Sequence, residues 1–139
     1  MWVALVSRSV AAALPGQAGL PGLDTVDPRP FVRSLLKSAP WTLWFGAVGS
    51  ALAFEMLPIL TVYWPLPALL LPIAVRDRHA NAMAGHRLYL VRMAMVMIKT
   101  IAGLQWGADP QVRAAMGLPL YPADPQRWRD AALQPTTQA

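Results

Sequence analysis

The chain has 139 residues, a net charge of +5 and no cysteine; 55% of its residues are hydrophobic and only 14% are charged. The lack of cysteine excludes disulfides, thiolate metal sites and iron–sulfur clusters, and the thinly spread Lys and Arg argue against nucleic acid as a partner, because a binder would cluster them among exposed aromatic residues. A domain of this size has too small an interior to bury so much apolar side chain, so we expect the surplus to contact membrane lipid, a partner subunit or both.

The first forty residues predict a short helix, a linker and an amphipathic segment. Residues 1–14 are mostly apolar and small, which favours one short helix. Residues 15–30 contain three Gly and four Pro, which forbid regular structure and predict a linker. In residues 31–38, FVRSLLKS, the apolar residues are set apart from the basic ones, which predicts one or two amphipathic turns. We group residues 1–40 as an N-terminal helix with its linker.

A long apolar run follows from Trp41 to Val75, and Glu55 is its one charged residue. The part from Trp41 to Leu57 predicts a helix of 17 residues, which is at the short limit for a membrane span. Its interior offers a face of small residues suited to close helix packing, formed by Gly46, Gly49 and Ser50.

Prolines break the second half of this run. Pro65 and Pro67 remove backbone donors and clash with the preceding turn, so Ile59–Pro67 is predicted to be an irregular connection, followed by a helix that begins near Ala68 or Pro72. Basic residues flank the run on both sides. If positive flanks face one side of a membrane, both ends lie on that side. We therefore expect a proline-broken hairpin, either dipping into one leaflet or formed by two helices, and not a single crossing.

The stretch Arg87–Trp106 predicts a long, Met-rich helix, because it contains no proline and many strong helix formers. One face is predicted from apolar residues spaced three and four positions apart, namely Leu90, Met93, Met97, Ile101 and Leu104. A second group continues the apolar surface beside that face, namely Val91, Met95, Ile98 and Ala102. Such a broadly apolar helix is expected to be buried on most sides.

The sequence DPQVRAAMG predicts a further short helix with complete start and stop signals. Asp109 is its expected N-cap, Pro110 its first residue and Gly117 its end. Residues 41–117 are therefore predicted to form a helical domain that associates with the membrane and docks on the partner. Residues 118–139 are predicted to be an extended, Pro-rich tail, with Tyr121 and Trp128 as anchors.

Glu55 is a functional-site candidate, because an ionisable group inside an apolar segment is rare. Its predicted partner is Arg87, Arg92 or Lys99 of the long helix. We favour a buried ion pair or a hydrogen-bonded cap that fixes how two helices dock, because no second acid or base of catalytic type lies nearby in the sequence.

His79 and His86 are seven residues apart, a spacing that would place them on one helix face. One interpretation is ligation of a metal or a b-type haem, in a lone haem-binding membrane protein. We favour two polar residues on an ordinary helix, because the cluster of further ligands that a metal site requires is missing. We therefore predict no metal site.

Trp41, Trp44, Tyr63 and Trp64 bracket the apolar run, as interfacial aromatic residues do at a membrane. The many Met residues favour an adaptable core or a subunit interface. The sequence contains no G-x-G-x-x-G, P-loop, G-x-S-x-G or H-E-x-x-H motif. We therefore expect no catalytic residues and no cofactor in this chain.

The segment Phe54–Pro119 resembles a small helical module that accompanies glucose-methanol-choline flavoproteins. Three motifs give the resemblance: E-x-x-P at Glu55 and Pro58, HRLYLVR at residues 86–92, and K-x-x-x-G-x-x-W-x-A-D-P-x-V-R-A-A-M-G at residues 99–117. The segment is similar to the gluconate 2-dehydrogenase subunit 3 group, the short accessory subunits of membrane-associated alcohol, sterol and sugar dehydrogenases. The resemblance implies an all-α accessory subunit, with FAD in a large partner subunit.

The sequence hypothesis is therefore a non-catalytic subunit that anchors and stabilises a membrane-associated flavin dehydrogenase at the bacterial inner membrane, in a hetero-oligomer. The alternative is a small structural subunit of a larger integral membrane complex, respiratory or photosynthetic. The residues predicted to dock on the partner or the membrane are Trp41, Trp44, Glu55, Trp64, Arg87, Arg92, Met93, Met97, Lys99, Trp106, Asp109 and Arg113.

Overall fold

The computed structural model describes residues 1–13 and 27–119, and helices are the only regular structure in these ranges. The all-α prediction is therefore confirmed for them. In chain order the elements are α1 (Trp2–Ala13), α2 (Arg29–Ser38), α3 (Trp41–Met56), α4 (Pro58–Thr61), a 3-10 helix (Ala68–Leu70), α5 (Ile73–Ala84), α6 (Tyr89–Ala108) and α7 (Pro110–Ala115). Within the described ranges, none of the helices has the length and apolar character needed to cross a membrane.

Prolines set where several of these helices begin. Pro40 and Pro72 are extended residues directly before α3 and α5, and Pro58 and Pro110 are the first residues of α4 and α7, where a missing N–H costs no helical hydrogen bond. The predicted irregular connection is wrong at its beginning, because Pro58 starts one helical turn there. The segment 62–67 is irregular, as predicted.

The core lies where α3, α6 and α1 meet. α3 packs along α6, α1 contacts both, α2 covers α1, and α5 packs on α6. The largest side chains of this core include Phe54, Met83, Met95 and Ile98. The small residues of α3 are divided: Gly46 faces Met97 so closely that a Cβ there would lie 3.2 Å from Met97 Cε, whereas Gly49 is exposed.

The expectation that α6 is buried on most sides is wrong, and the apolar face named from the sequence is exposed at both ends. Leu90 is 80% exposed and Leu104 is 58% exposed. The buried residues belong mainly to the neighbouring group and its small residues: Ala94, Met95, Ile98, Ile101, Ala102 and Gln105. The helix is apolar around most of its circumference, so its periodicity did not determine which side would be buried. The buried side is the one that contacts α3 and α1, and it includes the two small residues Ala94 and Ala102.

The start and stop signals of α7 are confirmed. Asp109 Oδ1 accepts hydrogen bonds from the backbone N–H groups of Gln111, at 2.8 Å, and Val112, at 3.2 Å. Gly117 ends the segment with φ +67, a left-handed conformation that glycine adopts without strain. Most of the predicted linker, residues 15–26, and the tail from residue 120, with Tyr121 and Trp128, lie outside the described residues.

Candidate functional site

Between Trp41 and Ala74 every exposed residue is uncharged. Glu55, the one ionisable acid or base in this segment other than tyrosine, is buried. We call the exposed residues of this segment the uncharged surface. Its large apolar members are Trp41, Phe45, Leu52, Met56, Ile59, Leu60, Tyr63, Trp64, Leu66, Leu70 and Ile73.

One face of α3 supplies the most regular part of the uncharged surface. Trp41, Phe45, Leu52 and Met56 follow one another at spacings of four, seven and four residues, which places them along one side of the helix. Trp41 is 74% exposed and Met56 69%. The opposite side packs in the core, so α3 is apolar on both its buried and its exposed side. A surface helix normally presents polar residues to water.

Aromatic rings gather at the beginning of α3. The ring of Trp44 meets Phe45 edge to face at 5.2 Å and Trp2 of α1 at 6.1 Å, and Trp41 meets Phe45 at 6.1 Å. Such pairs stabilise each other beyond the area they bury. Of the predicted docking residues, Trp41 is thus exposed on this cluster, while Trp44 is half-buried within it.

Glu55 does not pair with the long helix. Its Oε2 accepts a hydrogen bond from the backbone N–H of Leu69, at 3.3 Å, in the 3-10 helix. Its Oε1 is buried and has no hydrogen-bond partner among the described residues. The expected contact with α6, as an ion pair or as a cap that docks α3 on that helix, is therefore wrong; the carboxylate instead accepts a backbone hydrogen bond from the 3-10 helix. This hydrogen bond joins α3 to the 3-10 helix that follows the irregular segment.

Burial raises the pKa of Glu55 above its ordinary value of 4.5. The hydrogen bond from Leu69 and the positive fields of Arg8 and Arg76 act against this rise, but desolvation is the larger effect. These two arginines, and not those of α6, are the basic residues near the carboxyl. Arg8 is the one charged residue of α1, and that isolation in an apolar helix was the signal from which its role could have been suspected.

An open apolar cavity of about 280 Å³ lies beside Glu55. Trp64, predicted to be a docking residue, forms part of its wall, and the other lining residues are Met56, Ile59, Pro65, Leu66 and Pro67. Tyr63 precedes this wall with φ 58, an uncommon conformation for a residue other than glycine. Apart from Glu55, which also lines it, the cavity is therefore formed by residues of the uncharged surface.

The two histidines do not share a helix face. His79 is fully buried in α5, whereas His86 follows the end of that helix and accepts a hydrogen bond at Nδ1 from the backbone N–H of Leu88. His79 Nε2 lies 2.9 Å from the Phe54 carbonyl oxygen, and its Nδ1 contacts the Thr61 hydroxyl. Burial lowers the pKa of His79 below its ordinary value of 6.5. In residues 1–13 and 27–119 no group of three potential metal-ligating residues comes together.

The predicted docking residues on and after the long helix fall into two groups. Arg87, Lys99, Met93 and Met97 are exposed or half-buried on or next to α6. The other four make contacts within the chain. Arg92 donates to the His86 carbonyl at 3.0 Å and lies over the Tyr89 ring. Asp109 caps α7, Arg113 donates to the Gly107 and Pro119 carbonyls, and Trp106 packs against the core.

The chain was compared with protein-family models, with curated proteins and with solved structures, and none of these comparisons found a match.

Proposed function

We propose that this chain is a non-catalytic accessory subunit that anchors and stabilises a membrane-associated flavin-dependent dehydrogenase of the glucose-methanol-choline type. The observation that supports this proposal most directly is the uncharged surface. Extended exposed apolar patches mark protein or membrane interaction sites. The exposed side of α3 and the segment after it contain no charged residue that would favour contact with water over contact with lipid or a partner.

The two buried ionisable groups also favour a role without catalysis. Glu55 accepts a hydrogen bond from Leu69, and His79 contacts the carbonyl of Phe54. Both side chains thus form hydrogen bonds with backbone groups of this chain. In the proposed complex, FAD and the catalytic base belong to the large partner subunit, which α6 and α7 would contact, while the uncharged surface holds the assembly at the membrane.

The test is to purify the tagged chain from the membranes of its natural host in a mild detergent. We expect it to remain with the membrane fraction and to recover a large partner with the absorption spectrum of a flavin. Recovery of a stable, monodisperse monomer without detergent would contradict the proposal. Integral membrane chains without flavin would instead favour a structural subunit of a larger membrane complex, which the uncharged surface also suits.

Charged substitutions on the uncharged surface provide a sharper version of this test. Phe45→Glu and Leu52→Glu each place a carboxylate on the exposed side of α3, and Ser34→Glu places one on the exposed side of α2 as the matched control. We expect about a tenfold loss of membrane association for the α3 variants, since burial of one large apolar side chain contributes that order of affinity. The α2 variant is expected to associate normally.

A further inference from the structure

A second open cavity, of about 330 Å³, is lined by residues of α1, the 3-10 helix and α5. Its walls are Arg8, Ala11 and Ala12 of α1, Leu69 of the 3-10 helix and Arg76 of α5. Two arginines from helices distant in the sequence thus line one small cavity. The remaining lining residues contribute no acidic group.

Neither arginine is neutralised by a described residue. The ion pair formed within residues 1–13 and 27–119 joins Arg29 to Asp27, so no described carboxylate lies within ion-pair distance of Arg8 or Arg76. The Nε of Arg76 is buried and has no hydrogen-bond partner. A buried guanidinium N–H without an acceptor is unfavourable, because it loses water and gains nothing in exchange.

Glu55 does not fill this role. Its Oε2 is engaged by the backbone N–H of Leu69, and it forms no ion pair with either arginine. The two guanidinium groups therefore face a cavity whose lining residues include no acid. Glu55 lies near enough for their charges to act on its carboxyl, but not within ion-pair distance of either arginine.

We propose that this cavity binds a phosphate group between Arg8 and Arg76. The planar, permanently charged guanidinium fork matches two phosphate oxygens at once, and two such groups from different helices would hold the anion from two sides. The exposed residue Leu70 directly follows the cavity residue Leu69, and the exposed residue Ile73 lies one helical turn before Arg76 on α5. This neighbourhood favours a lipid phosphodiester as the source, and that choice of source rests on the proposed function; a free phosphate ester has the same chemistry.

The site itself is tested with soluble phosphate. The full chain, purified in a neutral detergent, is heated with inorganic phosphate or with chloride at equal ionic strength. We expect phosphate to raise the melting temperature of the wild type in a saturable manner. Arg76→Lys retains the charge but loses the fork, and should weaken phosphate binding at least about tenfold, the effect of losing one charge-assisted hydrogen bond. Arg8→Lys, on an exposed side chain, should do the same.

Arg78→Lys is the matched control, since Arg78 is an exposed residue of the same helix. It should bind phosphate as the wild type does. Equal binding by the Arg76→Lys, Arg8→Lys and Arg78→Lys variants, all with wild-type helical content by circular dichroism, would overturn the site, as would the absence of any phosphate effect.

Vesicles distinguish the two sources. Flotation with phosphatidylglycerol vesicles is compared with flotation on uncharged galactolipid vesicles, which contain no phosphate. A preference for phosphatidylglycerol that Arg76→Lys lowers and Arg78→Lys preserves supports a lipid phosphodiester. Binding of inorganic phosphate without this preference supports a free phosphate ester. Loss of flotation on both lipids would contradict the membrane part of the proposed function and leave the result with soluble phosphate standing.

Discussion

The imidazole of His79 donates from Nε2 to the backbone oxygen of Phe54, at 2.9 Å. This oxygen lies four residues before Pro58, which has no N–H to continue the helical hydrogen bonds. The carbonyl can only accept, so the proton must be on Nε2. On the other side of the ring, Nδ1 contacts the hydroxyl of Thr61, which also lies 3.0 Å from the Leu57 carbonyl. A side chain of α5 thus replaces the donor that a proline removed from the end of α3.

His79→Phe is expected to lower the free energy of unfolding by about 1–3 kcal/mol, because the ring volume is kept while the buried Phe54 carbonyl loses its donor. Pro58→Ala restores a backbone N–H at the position that a helix would use. We therefore expect His79→Phe to cost less in the Pro58→Ala background. The measurement is a double-mutant cycle by chemical denaturation in detergent.

The matched control is His86→Phe. Its Nδ1 accepts from the backbone N–H of Leu88 in an exposed region, where water can take over, so the change should be under about 1 kcal/mol. Additive effects of His79→Phe and Pro58→Ala would show that the two residues do not serve the same carbonyl.

Burial also makes His79 a source of acid sensitivity. Its folded-state pKa is lowered from the ordinary value of 6.5, so below that pH the unfolded chain binds more protons than the folded one. Stability from this residue is complete above pH 6.5 and is lost as the pH falls through the folded-state pKa. The difference in unfolding free energy between wild type and His79→Phe should shrink over this window, and a constant difference would contradict the assignment.

The stability that depends on Glu55 should change with pH in the opposite direction to that of His79. Its folded-state pKa is raised from 4.5, so the folded protein holds its proton more tightly, and stability is lost as the pH rises through the folded-state pKa. Glu55→Gln keeps an acceptor for the Leu69 N–H and removes the charge. We expect it to stabilise the protein at neutral pH by about 1 kcal/mol, and to make little difference below pH 4.5. Thermal melts across pH measure this.

Asp77→Asn is the control for that experiment, since Asp77 is an exposed acid on α5. It removes the same charge from a solvated position and should leave stability nearly unchanged at each pH. A gain from Glu55→Gln that persists at low pH would mean that shape, and not ionisation, is responsible.

The cap of α7 gives a local prediction. Asp109→Ala removes the acceptor for two backbone N–H groups and should cost about 1 kcal/mol. Asp109→Ser should retain most of the stability, because its hydroxyl can accept at the same place. Amide hydrogen exchange at Gln111 and Val112 reports the effect directly. Equal exchange in the Ala and Ser variants would exclude the cap as the cause.

The sequence predicted the elements better than their contacts. Proline positions, the cap at Asp109 and the glycine at Gly117 are local signals, and they located the starts and ends of helices within a few residues. The buried side of α6 was not predictable in this way, because its apolar residues surround the helix. The choice between Leu90 and Ala94 depends on what α3 and α1 bring against it.

The surroundings of the two buried ionisable residues were also beyond local reasoning. Glu55 was expected to meet the basic residues of the long helix, yet Arg8 comes from the first helix and Leu69 provides a backbone group that no sequence pattern marks. His79 was predicted to be a polar residue of an ordinary helix, yet it is fully buried. The carbonyl that it contacts, left without a helical donor by Pro58, is found only once α3 and α5 are placed together.

The partnership of His79 with Phe54 spans 25 positions in the chain, and this has a consequence for the order of assembly during synthesis. The end of α3 emerges from the ribosome well before the histidine that satisfies it. Until α5 has been made and has packed, α3, the most apolar of the described helices, ends in a carbonyl without a donor beside a proline. We therefore expect chaperones or proteases to recognise a nascent chain that stops before residue 79, and to recognise it less once His79 has been added and has packed against Phe54.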